Sequence, residues 1–439
     1  MEGKVMRKKA VIVGVNIKGN DEELEYSMQE LGNLAAACGI ETTGEVTQNL
    51  NRVNQGSYIG TGKLNELKSM VEKEDADTII FDDELTPSQI RNLEAELDLE
   101  VVDRTMLILE IFAKRAKTRE SKLQVEVARL KYMLPRLIGS RESLGRQGGG
   151  SGLKNRGAGE TKLELDRRKI EEKISQLSKE LEDLVNQRKL QREKRAKNEI
   201  PIVSLVGYTN AGKSTMMNAV LESFNQGKDK HVFEKDMLFA TLETSVRKVK
   251  LDTNQTFLLT DTVGFIKKLP HHLVKAFRST LEEVSEANLL IHVIDVSNPE
   301  HEKKRKLTNE ILVEIGVMDI PVIYAYNKAD LADRKYPFIE DNHVYLSAGE
   351  KVGVNELTSM ISEHIFNDYV RCEFLIPYSD GQVVSYFNER AHVLLEDYEA
   401  EGTRLVVECR EADREKYDQY VINAKNPNEK GSVTYDTVE

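Results

Sequence analysis

Gly207-Tyr208-Thr209-Asn210-Ala211-Gly212-Lys213-Ser214 fits the pattern G-x-x-x-x-G-K-[ST] without a mismatch, between the apolar run PIVSLVG and a helix-favouring stretch. Each position has a physical reason. The glycines let the backbone curl so that successive N–H groups point at a phosphate. Lys213 supplies a point charge, and the Ser214 hydroxyl is placed for a Mg²⁺ ion. The helix that follows adds the positive end of its dipole.

Three further elements follow in order. Asp261-Thr262-Val263-Gly264 ends the strand-like run TFLLTD. There the carboxylate can reach Mg²⁺ and the glycine N–H can meet a γ-phosphate. Asn327-Lys328-Ala329-Asp330 ends VIYAYN, where the Asp330 carboxylate can accept from guanine N1–H and the exocyclic amine, a pattern adenine cannot satisfy. Ser347-Ala348-Gly349 follows HVYL, where backbone N–H groups can read guanine O6. Four such elements at the carboxyl ends of strands predict a GTP-binding, doubly wound, mostly parallel sheet over residues 201–366.

Between the phosphate loop and Asp261 lies Phe239-Ala240-Thr241-Leu242-Glu243. Thr241 is the candidate switch residue, bonding Mg²⁺ and the γ-phosphate while GTP is bound; Thr244 is its rival. The candidate catalytic set is Lys213, Thr241 and Gly264, and the candidate metal contacts are Ser214 and Thr241. Phe265 has no polar group with which to orient water, so hydrolysis by the protein alone is expected to be slow and raised by a partner. His271 and His272 lie nearby and are weaker candidates.

Outward from this core the chain is modular. Residues 1–112 alternate strand and helix patterns (AVIVGVNI, the helical Asp21–Ala37 stretch, TIIF, QIRNLEAEL, LEVVD, TMLILEIFAKR), which predicts a small parallel α/β domain. Tyr58-Ile59-Gly60-Thr61-Gly62-Lys63 resembles half a phosphate loop but reads as a strand-to-helix turn. Residues 113–200 carry two heptad-spaced seams. Leu123, Val127, Leu130 and Leu134 form one; Ile170, Ile174, Leu177, Leu181 and Leu184 form the other. They predict an antiparallel helical hairpin. The expected loop between them, residues 139–159, holds 8 of the 27 glycines together with Arg141, Arg146, Lys154 and Arg156. Residues 367–439 read as a small α+β appendage.

The charge is unevenly spread. The whole 439-residue chain carries −12, yet residues 113–200 hold 24 Lys+Arg against 13 Asp+Glu, a local +11, so the rest carries −23. A basic arm in an acidic chain is what a polyanion-binding element looks like. No run approaches the ~18 consecutive apolar residues of a membrane span, and the N-terminal segment reads as a strand, not a signal peptide. Three scattered cysteines fit neither a disulfide framework nor a zinc site. A cytoplasmic monomer, at most loosely attached to a membrane, is expected.

Taken together, GYTNAGKST, FATLE, DTVGFI and NKAD, preceded by RGAGETKLELDRR and two helical stretches, resemble the HflX family of translational GTPases over essentially the whole chain. The resemblance implies a Mg²⁺-dependent GTPase that binds the large ribosomal subunit and separates stalled or idle ribosomes. It also implies that the N-terminal domain and the hairpin loop approach ribosomal RNA. The family loop usually reads close to GGIGTRGPGET; here it is GSGLKNRGAGET. Two other readings stay open: a GTP-dependent signalling switch that recruits a protein without RNA, and an RNA chaperone or helicase using a nucleotide site in the N-terminal domain. The basic hairpin favours the ribosomal reading.

Overall fold

The computed structural model describes residues 8–17, 19–140, 154–196, 200–224, 239, 242, 244–270, 273, 284–317, 319–367 and 369–425. The chain divides into two compact units. The first is Met1–Lys194 with Glu234–Glu243 and Val263–Glu282; the second is Arg195–Phe233 with Thr244–Thr262 and Glu283–Glu439.

The first unit begins β1 (Lys8–Asn16), α1 (Asp21–Ala37), β2 (Ile40–Asn49), α2 (Thr61–Glu74), β3 (Thr78–Phe81), α3 (Pro87–Leu97), β4 (Glu100–Asp103) and α4 (Arg104–Arg115). The strands form a parallel sheet in the order β2-β1-β3-β4. β1 and β3 are central, and their buried stretches, Ala10–Val15 and Ile79–Phe81, are accordingly apolar. Local signals set the helix ends. The Asn20 side chain accepts from the Glu23 N–H ahead of an acidic first turn in α1, and Thr86 and Gln89 form a reciprocal capping box with Pro87 at the start of α3. Tyr58–Lys63 is the turn into α2: Gly60 precedes the helix and its N–H donates to Gln48 Oε1 at 2.9 Å.

The hairpin follows as α5 (Arg119–Ser140) and α6 (Lys154–Ala196). Ion pairs Arg119–Glu180 and Lys173–Glu126 run in opposite numerical directions, so the helices are antiparallel. Along α6 the seam residues Ile170, Ile174, Leu177, Leu181 and Leu184 are half-buried while most of their neighbours are exposed. The interhelix gap is shorter than the expected loop 139–159: α5 reaches Ser140 and α6 starts at Lys154, which puts Lys154 and Arg156 on the helix. Arg141 and Arg146 lie outside the described residues.

The second unit contains β5 (Ile202–Gly207), α7 (Lys213–Ser223), β6 (Ser245–Lys250), β7 (Thr256–Asp261), β8 (Leu289–Asp295), α8 (His301–Glu314), β9 (Val322–Asn327), β10 (Phe338–Glu340), β11 (His343–Tyr345) and α9 (Val354–Ile365). Seven strands order as β10-β11-β9-β8-β5-β7-β6, parallel except for the two antiparallel edges. Val203, Leu205, Met216, Leu259, Ile291 and Leu357 anchor its core. The chain ends in β12 (Tyr369–Ile376), α10 (Gly381–Arg390), β13 (His392–Glu399), β14 (Gly402–Arg410), α11 (Glu411–Lys416) and β15 (Val421–Lys425). These four strands form an antiparallel sheet, β13-β14-β12-β15, with Val383 and Phe387 of α10 in its core. The fold is thus a mostly parallel α/β sheet preceded by a small α/β unit with a helical hairpin and followed by an α+β appendage. Among the described residues no helix is long and apolar enough to cross a membrane.

Candidate functional site

The parallel strands β5, β7, β9 and β11 all end at one edge of the seven-stranded sheet, and the four sequence elements sit at those ends. The winding reverses between β5 and β8, the position where open α/β sheets leave a crevice. The phosphate loop leaves β5 there. Gly207 has no room for a side chain, since a Cβ would lie 2.3 Å from the Val293 carbonyl oxygen. Gly212 has φ +93, and a Cβ on it would lie 2.2 Å from Asn327 Nδ2. Asn210 takes φ +62, which Asn tolerates. Tyr208, Thr209 and Ala211 are buried in the loop, and Lys304 of α8 lies 4.7 Å from the Tyr208 ring centroid.

Lys213 is buried under this loop, where its ammonium donates to the carbonyls of Gly207 (3.2 Å) and Tyr208 (3.0 Å). Burial pushes its pKa down to about 8, against the opposing pull of Asp261. Ser214 donates to Asp261 Oδ2 at 2.6 Å. A hydroxyl and a carboxylate side by side are hard oxygen donors of the kind Mg²⁺ takes while it keeps several waters, so this pair fits the ion. The neighbouring Thr262 behaves differently: its hydroxyl is spent on the Leu205 carbonyl at 2.6 Å, tying β7 to β5.

Asn327 is the tie between the remaining elements. Its Nδ2 donates to the Ala211 carbonyl at 2.9 Å, and its Oδ1 accepts from the Ala348 N–H at 2.9 Å. One side chain thereby fixes the phosphate loop against Ser347-Ala348-Gly349. Lys328 adopts φ +62 and pairs with Asp295 at 2.8 Å. Ala329 is buried, whereas Asp330 is exposed at the mouth of a short 3₁₀ turn. Ser347 is buried and its hydroxyl accepts from the Glu350 N–H at 3.2 Å; Gly349 is exposed.

The candidate switch residues divide differently. Ala240, Thr241 and Glu243 lie outside the described residues, as do His271 and His272. Phe239, Leu242, Val263, Gly264 and Phe265 are buried and belong to the first unit. Within that unit Phe239 packs edge-to-face on Phe112 of α4 at 4.7 Å. The sequence reading missed Asp295, Lys304 and the two-way tie made by Asn327. Asp295 had a signal: it ends the apolar run LLIHVID as Asp261 ends TFLLTD.

These features define a P-loop GTPase. Residues 25–113 match the family described as the GTP-binding GTPase N-terminal region, 115–195 its middle region, and 202–328 a 50S ribosome-binding GTPase. The GTPase HflX of Caldanaerobacter subterraneus is 45% identical over 95% of this chain and 94% of its own length. The GTPase HflX of Escherichia coli is 38% identical over 87% of this chain and 89% of its own. A solved GTP-binding protein from Sulfolobus solfataricus, in complex with GDP, aligns with TM-score 0.45 and 25% identity over 82% of this chain and 99% of its own. The chain belongs to the HflX family of GTPases, enzymes that hydrolyse GTP to GDP and phosphate.

Proposed function

We propose that this GTPase binds the large ribosomal subunit and separates stalled or idle ribosomes into subunits, its hydrolysis being stimulated by the ribosome. The observation that carries the reading is the arm: an antiparallel hairpin inside a segment of local charge +11, in a chain whose GTPase region matches a 50S ribosome-binding family. Ribosomal RNA is the polyanion such an arm would follow. The protein acts as a cytoplasmic monomer, organised as residues 1–112, 113–200, 201–366 and 367–439.

In the nucleotide site, backbone N–H groups of Gly207–Ser214 receive the phosphates and Lys213 neutralises the β- and γ-phosphoryl oxygens. Ser214 and Asp261, with Thr241, would hold Mg²⁺, which would supply neutralising charge to the phosphates. Thr241 and Gly264 report the γ-phosphate. Asp330 reads the guanine edge and the Ser347–Gly349 backbone reads O6, on a platform that Asn327 holds rigid. Because Phe265 presents no polar group to water, the ribosome completes the hydrolytic geometry.

The test is gradient sedimentation of ribosomes with the full chain plus GTP, GDP or a non-hydrolysable analogue. Subunits should separate with GTP or the analogue and stay joined with GDP. Intact ribosomes in every lane would sink the splitting reading.

A further inference from the structure

The first unit has a switch point of its own. Its sheet reverses winding between β1 and β3, and a crevice of about 210 Å³ opens there. Asn16, Asn20, Glu23 and Asp83 line it together with Lys267 and Lys268, from the chain just after Gly264-Phe265. Lys267 pairs with Glu23. Lys268 pairs with Asp82 and, at 2.6 Å, with Asp83. Asp82 is itself fully buried, bonded by the Arg104 guanidinium at 2.7 Å and the Ser27 hydroxyl at 2.6 Å, while Arg104 also pairs with Glu30. Asp82 is therefore a carboxylate already held in place for Lys268, beside the partly exposed Glu23 and Asp83. Lys268 also holds φ +56, in the left-handed region that a long side chain adopts only where its surroundings impose it.

We propose that Lys267 and Lys268 are positioning residues for GTP hydrolysis: seated in this acidic crevice, they fix the chain that follows Asp261-Thr262-Val263-Gly264. The inference rests on the reading of Asp261–Gly264 as part of the nucleotide site. The physical need is plain. Hydrolysis depends on the Gly264 N–H and the attacking water holding one geometry, and a misplacement of about 1 Å can cost roughly 10²-fold in rate. Phe265 brings no polar anchor, whereas the next charged residues along the chain, Lys267 and Lys268, are both clamped on carboxylates. The lysines touch neither phosphate nor base in this reading; they act through the backbone.

The experiment uses the full chain and compares the double reversal K267E/K268E, the partner reversal E23K/D83K, the fourfold combination and the conservative K267R/K268R. Single-turnover GTP hydrolysis and the dissociation constant of a fluorescent GDP are measured for each. The double reversal should lower kcat about tenfold while GDP affinity stays within about twofold. The fourfold combination should recover most of the rate, and K267R/K268R should keep it. A folding defect would show as a loss of GDP affinity together with the rate, whereas a positioning defect lowers the rate alone. Unchanged or higher kcat in the double reversal overturns the proposal, as does a parallel loss of GDP affinity or a fourfold variant no faster than the double. A separate control isolates the underlying reading: normal GDP binding by D261A/K213A would remove Asp261 from the nucleotide site whatever the lysines do.

Discussion

In the seven-stranded sheet the chain reverses its winding between β5 and β8; in the four-stranded sheet of the first unit it does so between β1 and β3. The two places are topologically alike and chemically opposite. The first is ringed by glycine backbone and centred on a buried lysine. The second gathers Glu23, Asp82 and Asp83, and their partners are Lys267 and Lys268. A crevice lined with N–H groups and a cation receives phosphate; one lined with carboxylates repels it and takes a cation instead. Shared topology therefore supplies the crevice, and side-chain charge decides what enters. This weighs against a nucleotide at the β1/β3 switch point.

The largest effect expected from breaking this contrast is on folding. Arg104 is 1% exposed between Asp82 and Glu30, at 0% and 4%. Arg104→Met leaves two buried carboxylates without their shared cation, which should cost about 3–5 kcal/mol of stability in the first unit. Urea unfolding followed by hydrogen exchange at β1 and β3 would show it, and a change below about 1 kcal/mol would mean the cluster is better hydrated than the structure implies.

At the other switch point, Gly212→Ala should act on binding instead. A Cβ at φ +93 costs about 1–2 kcal/mol in backbone strain, and displacing Asn327 from its bond to Ala211 adds about 1 kcal/mol. The sum, about 2–3 kcal/mol, is roughly a 30- to 150-fold loss of GDP affinity, measurable by titration calorimetry. An Asn327→Ala variant with an equal loss would trace the effect to the tie; an unaffected one would leave only the strain.

Which of these features could be read from sequence follows from where their signal resides. The phosphate loop and strands β5, β7, β8 and β9 were legible because buried parallel strands are apolar runs and motifs such as GKS and NKAD follow at their ends. β2 (IETTGEVTQN) and β6 (SVRKVK) were missed because both are sheet-edge strands with polar sequences. The acidic crevice was illegible for another reason: Glu23, Asp82, Arg104 and Lys268 are scattered over 246 positions, and no local pattern marks carboxylates that only the fold brings together. The hairpin's seams were legible from spacing, but its tip was overextended, because glycines at 157 and 159 suggested loop where the helix already runs.

The smallest effect is also the sharpest discriminator, because the two switch points respond to opposite ends of the pH scale. Burial and its neighbours act on Asp82 in opposite directions: desolvation raises its pKa, and Arg104, Lys268 and the Ser27 hydroxyl together more than reverse that, leaving it below the ordinary 3.8. A carboxyl with a depressed folded value contributes stability that is fully present above 3.8 and lost as pH falls through the folded value. Lys213 behaves the other way, pushed by burial from 10.5 to about 8. Between those values the unfolded chain holds the proton and the folded, nucleotide-free chain does not, so this lysine's contribution to stability rises with pH through that window. Nucleotide binding must restore the proton, since a neutral amine cannot offset phosphate charge. GDP affinity should therefore weaken by up to about tenfold, or 1.4 kcal/mol, per pH unit above 8, with proton uptake on binding. Calorimetric titrations at pH 7, 8 and 9 in buffers of different ionisation enthalpy would measure both quantities, and Lys213→Arg, charged throughout, should abolish the slope. Equal affinity and no proton uptake at pH 9 in the wild-type chain would mean that the carbonyls of Gly207 and Tyr208 keep Lys213 charged before the nucleotide arrives.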